Sequence, residues 1–109
     1  MARISTHVLD VERGQPAAGI PIELYRGGIL LGSSETNVDG RTDEPMLTVD
    51  RVEPGCYELV FRAGDYLSRR DPDPFYNDIT IRFRVSDATG NYHIPLLLAA
   101  HGYSTYRGS

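Results

Sequence analysis

Apolar and polar side chains take turns along most of this chain, and glycine, proline or Asp-Gly turns break the alternation at short intervals. A period of two sends successive side chains to opposite faces of an extended strand. The pattern therefore predicts many short strands, each with one face to bury. Ile4, Thr6 and Val8 alternate with Ser5, His7 and Leu9. Turn residues over 14–19 interrupt, and a second strand follows over 20–26. Gly27-Gly28 is a tight hairpin signal that returns the chain over 29–36. Asn37-Val38-Asp39-Gly40 makes another turn, with Arg41 directly after it. Further strands are expected over 56–62, 79–85, 92–99 and 103–106. Residues 63–70 form the one plausible helix, stopped by Asp71-Pro72-Asp73-Pro74.

Seven or eight strands and a brief helix predict an all-β fold, a two-sheet antiparallel sandwich in which each sheet covers the other's apolar face. The 109 residues suit one domain over 1–109. A domain of that size buries roughly two-thirds of its unfolded surface and needs no metal or disulfide staple. The formal net charge of −4 argues against a nucleic-acid backbone or an anionic membrane as partner. Cys56 is the only cysteine, which suits a reducing compartment. The first residues enter a strand pattern without the apolar stretch of a secretory signal, so the cytoplasm is the expected location.

Strand parity bears on the histidines. His7 shares a face with Ser5, opposite Ile4, Thr6 and Val8, and His93 lies opposite Tyr92, Ile94, Leu96 and Leu98. Both imidazoles are therefore expected to point out of the sandwich. They can sit on neighbouring antiparallel strands, where opposed residues lie about 5 Å apart. The face of His93 also carries Pro95 and Leu97, an apolar surface that packing against another subunit would cover. A neutral imidazole is populated near pH 7 and can take a proton from water. Either His7 or His93 fits that role. No Gly-x-Ser-x-Gly elbow is present, so covalent catalysis by a serine has weak support. A zinc site from His7, His93 and His101 matches no recognised spacing. His101 reads as a loop histidine, and Arg69-Arg70 as solvated helix-end residues.

Several segments carry a resemblance. Gly19-Ile20-Pro21-Ile22-Glu23-Leu24, Thr36-Asn37-Val38-Asp39-Gly40-Arg41 and Pro54-Gly55-Cys56-Tyr57-Glu58-Leu59 look like the transthyretin-like (prealbumin-like) sandwich in general. Ser5-Thr6-His7-Val8-Leu9-Asp10, Tyr92-His93-Ile94-Pro95-Leu96-Leu97-Leu98 and the closing Tyr106-Arg107-Gly108-Ser109 resemble the 5-hydroxyisourate hydrolases within that superfamily. The likeness covers essentially the whole chain. It departs at Ala99-Ala100-His101, where family members commonly carry Ser-Pro and an apolar or aromatic residue.

The resemblance implies hydrolysis of a ring lactam of 5-hydroxyisourate, giving 2-oxo-4-hydroxy-4-carboxy-5-ureidoimidazoline in urate catabolism. It implies no cofactor and no metal. It maps the catalytic group onto His7, Arg41, His93 and Ser109, with Tyr106, Arg107 and Gly108 holding substrate. The guanidinium groups of Arg41 and Arg107 suit a ring rich in carbonyl oxygens. Ser109 offers a hydroxyl and a carboxylate that can orient a histidine. A homotetramer with active sites at the dimer–dimer junction is also implied. Two other functions remain open, a transthyretin-like carrier of a small aromatic ligand and a structural interaction module.

Overall fold

The computed structural model describes residues 1–108, and they form the expected sandwich of two sheets. Strand β1 (Ala2–Asp10) is the spine of the first sheet. Along one edge it pairs with β8 (Asn91–Ala99), which in turn pairs with β9 (Gly102–Thr105). Along its other edge run β5 (Leu47–Val49) against Ala2–Ile4 and β2 (Gln15–Pro16) against Leu9–Asp10. The second sheet is ordered β4 (Ile29–Glu35), β3 (Pro21–Arg26), β6 (Gly55–Phe61) and β7 (Ile79–Val85), antiparallel throughout.

The alternation read in the sequence is the burial pattern of the strands. Ile4, Thr6, Val8 and Asp10 of β1 and Tyr92, Ile94, Leu96 and Leu98 of β8 are buried. They meet Ile22, Leu24, Tyr57, Leu59, Phe61 and Ile79 from the opposite sheet. Fully burying one such aliphatic side chain contributes about 1.5–3 kcal/mol, so this interface dominates the stability. Thr6 is tolerated inside because its hydroxyl donates to the Ile94 carbonyl at 2.6 Å.

Several expectations need correction. β1 and β8 run parallel, with Ser5 opposite His93 and His7 opposite Pro95. The whole second sheet is threaded between them in sequence, so no hairpin constrains them to be antiparallel. β2 and β5 were not expected, being two and three residues long and too short to show a period. The last strand ends at Thr105. The helix α1 stops at Leu67, although Asp71 N–H still donates to the Leu67 carbonyl at 3.1 Å. Arg70 is not a solvated end residue: its Nη2 lies 2.9 Å from the buried Asp10 carboxylate. Arg69 lies over the Tyr66 ring, 5.1 Å from its centroid. Among the described residues no helix is long and apolar enough to cross a membrane.

Candidate active site

The outer face of the β1–β8 pair brings the two histidines together. Parity turns Arg3, Ser5, His7 and Leu9 away from the core on β1, and Asn91, His93 and Leu97 on β8. Because the register sets His93 beside Ser5, His7 lies on the diagonal. The two imidazole rings stack with centroids 5.9 Å apart and planes 15° from parallel.

Arg41 reaches this face through turn chemistry. The Asn37 side-chain oxygen accepts from the N–H groups of Asp39 (2.9 Å) and Arg41 (3.2 Å), and Asn37 N–H donates to the Arg41 carbonyl at 2.7 Å. The loop so tightened docks on the free edge of β1 between β5 and β2. There Val8 N–H donates to the Gly40 carbonyl at 2.8 Å, and Arg41 forms an antiparallel bridge with His7. Gly40 has φ +75°, and a Cβ there would lie 2.4 Å from the Val8 carbonyl oxygen. Only glycine allows this approach.

The chain after β9 completes the other side. Thr105 Oγ1 donates to the Pro95 carbonyl at 2.7 Å, and Gly108 N–H donates to the His93 carbonyl at 2.7 Å. The segment therefore runs beside β8 and reaches His93. A Cβ on Gly108 would lie 2.7 Å from His93 Cδ2, so this glycine too is set by a close approach. Ser109 lies outside the described residues.

Burial, Arg41 and His93, in that order, lower the pKa of His7. Burial and then Arg41 lower that of His93. Both imidazoles are thus neutral at pH 7, and neither can accept a proton without moving charge into a partly dry, already cationic site. The nitrogens differ in their partners: His93 Nδ1 lies 2.9 Å from Ser5 Oγ, whereas His7 Nδ1 is buried without a partner among the described residues. Beside them opens a cleft of about 390 Å³ lined by Arg3, Ser5, Arg41, Asn91 and His93.

His7, Arg41, His93 and Gly108 are thus gathered on one face. Tyr106 and Arg107 are not on it. Tyr106 is 56% exposed, and Arg107 lies 4.5 Å from the Tyr92 ring centroid, in a separate cleft beside Ile94, Ile81 and Phe83. His101 sits past the far end of β8, about 20 Å along the strand from His93, with its ring 6.2 Å from that of Phe75. Ser5, Arg3 and Asn91 went unmarked in the sequence. Parity alone placed Ser5 on the histidine face, but only the parallel register puts it against His93.

A family model described as HIUase/Transthyretin family matches residues 4–108. The chain belongs to this family. A 5-hydroxyisourate hydrolase of Halalkalibacterium halodurans is 47% identical, the match covering 98% of each chain. The structure of Klebsiella pneumoniae 5-hydroxyisourate hydrolase is 33% identical with a TM-score of 0.88, covering 100% of both chains. A crystal structure of (S)-allantoin synthase matches at 34% identity and a TM-score of 0.90 over 99% of this chain, which spans 44% of that longer one.

Proposed function

We propose that this protein hydrolyses 5-hydroxyisourate to 2-oxo-4-hydroxy-4-carboxy-5-ureidoimidazoline, opening a ring lactam by direct attack of water. The single observation that carries the reading is the pair of stacked, neutral imidazoles beside Arg41 at an open cleft. A carrier that only holds an aromatic ligand has no need of two depressed bases next to a guanidinium.

In the proposed reaction one imidazole, of His7 or His93, takes a proton as water oxygen bonds to the lactam carbonyl carbon. Negative charge grows on the carbonyl oxygen, and the fixed Arg41 cation stabilises it. The carbon–nitrogen bond of the ring then breaks. The proton passes to the departing nitrogen, and a carboxyl group is left on the product. Gly108 closes the cleft against His93, and Ser109 follows it with a hydroxyl to orient substrate or imidazole. Tyr106 and Arg107, at the exposed sheet edge, hold substrate in a site completed by a neighbouring copy.

That assembly is a homotetramer with its active sites at the dimer–dimer junction. The expected apolar outer surface is smaller than its sequence suggests, since Pro95 is already buried within the chain. Covering the half-buried Leu97 and the histidines would still exclude water from the same cleft and strengthen its electrostatics. The reading needs no cofactor, and the lone Cys56 accords with a cytoplasmic location.

The test is spectroscopic. 5-Hydroxyisourate is generated from urate with urate oxidase, and its absorbance is followed with and without this protein. Accelerated decay at micromolar protein is expected, and an unchanged decay would end the enzyme reading. Light scattering should give four times the 12.1 kDa chain mass.

A further inference from the structure

Ser5 belongs to no part of the mechanism above, yet among the described residues it makes the one side-chain hydrogen bond on the His93 ring, between its Oγ and Nδ1 at 2.9 Å. The contact follows from strand register rather than from loop geometry. Ser5 and His93 are directly paired across β1 and β8, on the same outer face, and both are half-buried. Gly108 presses on the Cδ2 edge of the same ring, and its N–H holds the His93 carbonyl. The imidazole is therefore held at Nδ1 and closely approached beside Cδ2, and among the described residues Nε2 is the nitrogen without a hydrogen-bond partner. His7 has no such grip, because its Nδ1 is buried without a partner among the described residues.

We propose that Ser5 is a positioning residue: its Oγ accepts a hydrogen bond from His93 Nδ1–H and so presents the Nε2 lone pair of His93 to the cleft. This rests on the hydrolase reading for its consequence, but not for its geometry. The direction of the bond follows from the proton cycle. A neutral ring has one N–H, and whichever nitrogen carries it cannot act as a base. If the serine hydroxyl donated to Nδ1, the ring proton would sit on Nε2 and the cleft would face a donor. When Ser5 accepts, Nε2 is free to take a proton from water. The same Nδ1–H···Oγ bond then survives in the imidazolium, which carries hydrogens on both nitrogens. A neutral hydroxyl does this without adding a negative charge, so the ring remains an uncharged base beside Arg41.

The experiment separates the contact from the activity. In uniformly ¹⁵N-labelled protein above pH 7.5, long-range ¹H–¹⁵N correlations report which nitrogen of His93 is protonated. The intact protein should show the Nδ1–H form. Ser5→Ala should return the ring to the Nε2–H form that a free histidine side chain prefers, and Ser5→Thr should keep Nδ1–H. In the decay assay Ser5→Ala should lower kcat about tenfold or more with little change in KM, as expected when a group that orients a base is lost. Ser5→Thr should recover most of that loss. An Nε2–H ring in the intact protein, or a Ser5→Ala variant with unchanged tautomer and kcat, would overturn the proposal. A protein with no activity but a serine-dependent Nδ1–H form would sink the hydrolase reading and uphold the contact.

Discussion

Strand β1 carries one polar group at its C-terminal end and another near its middle, and the two are treated in opposite ways. At its C-terminal end Asp10 is fully buried and fully paired. Its carboxylate accepts from Tyr66 Oη at 2.6 Å, Arg70 Nη2 at 2.9 Å and Arg13 N–H at 3.1 Å. Burial, and then the bond to Asp10, push the Tyr66 phenol up, so it stays a donor. Near the middle of the strand, on the opposite face, His7 has a buried nitrogen with no partner among the described residues. A saturated polar group specifies structure, because it ties β1 to the helix and has no capacity left over. An unsaturated one costs stability by leaving desolvation uncompensated, and a fold keeps it where a ligand or a proton is to complete it.

That contrast is broken most severely at the saturated end. Asp10→Ala removes the acceptor shared by three donors and leaves Arg70 and the buried Tyr66 hydroxyl without it. A loss of about 3 kcal/mol is expected, near the lower end for breaking a buried ion pair because Arg70 can turn to water. Urea unfolding measures it. If the midpoint hardly moves, the Asp10 network is ornamental and the comparison fails.

At the unsaturated end the expectation reverses. His7→Ala or His93→Ala should lower turnover about 10²-fold, or about 2.7 kcal/mol in the barrier, while the melting temperature stays within a few degrees. A variant that melts far earlier but keeps its turnover would make these histidines structural. Gly40 tests the link between the histidine strand and Arg41. Gly40→Ala adds a left-handed-backbone strain of about 1–2 kcal/mol to a clash with the Val8 carbonyl, and displacing Arg41 should cost activity about tenfold. Gly14→Ala is the control: at φ +64° it carries the same backbone strain, but nothing lies within 4 Å to clash, so stability falls by that strain alone and activity is unchanged. Equal effects from the two substitutions would dissociate Arg41 from the reaction.

The same contrast separates what was legible in the sequence from what was not. Alternation gave the core face of β1 and β8 and put Ser5, His7 and His93 on the other side, because parity is a local property. Pairing is not local. Nothing in residues 4–10 or 92–98 states that the strands run parallel, so the diagonal stack of His7 on His93 and the Ser5 contact could not be read. Arg41 came only from family likeness, since an arginine after an Asp-Gly turn is ordinarily solvated. The turn chemistry of Asn37 explains it only once the turn is seen docked at Val8. Arg70 was misread for a related reason. Its partner Asp10 is a strand residue remote in sequence, and an inward carboxylate looks like an error until its partners are found.

The smallest expected effect is the one that most sharpens the comparison, because it reads the two imidazoles through pH. Burial first, and Arg41 after it, hold both His7 and His93 below the ordinary value of about 6.5. The unfolded chain therefore binds protons that the folded chain refuses. Stability from these two groups is fully present above about pH 6.5 and declines as pH falls toward their folded values, since unfolding is then favoured by proton uptake. Activity should follow the same groups, with the acidic limb of kcat/KM lying below pH 6.5 because the neutral base persists there. The check is the melting temperature at pH 7.5 and 5.5 for the intact protein and for a His7→Gln/His93→Gln double variant. Removing both imidazoles should reduce the acid-induced drop. If the double variant loses as much on acidification as the parent, the two rings are not held neutral by the fold, and the distinction between Asp10 and the histidines has lost its electrostatic basis.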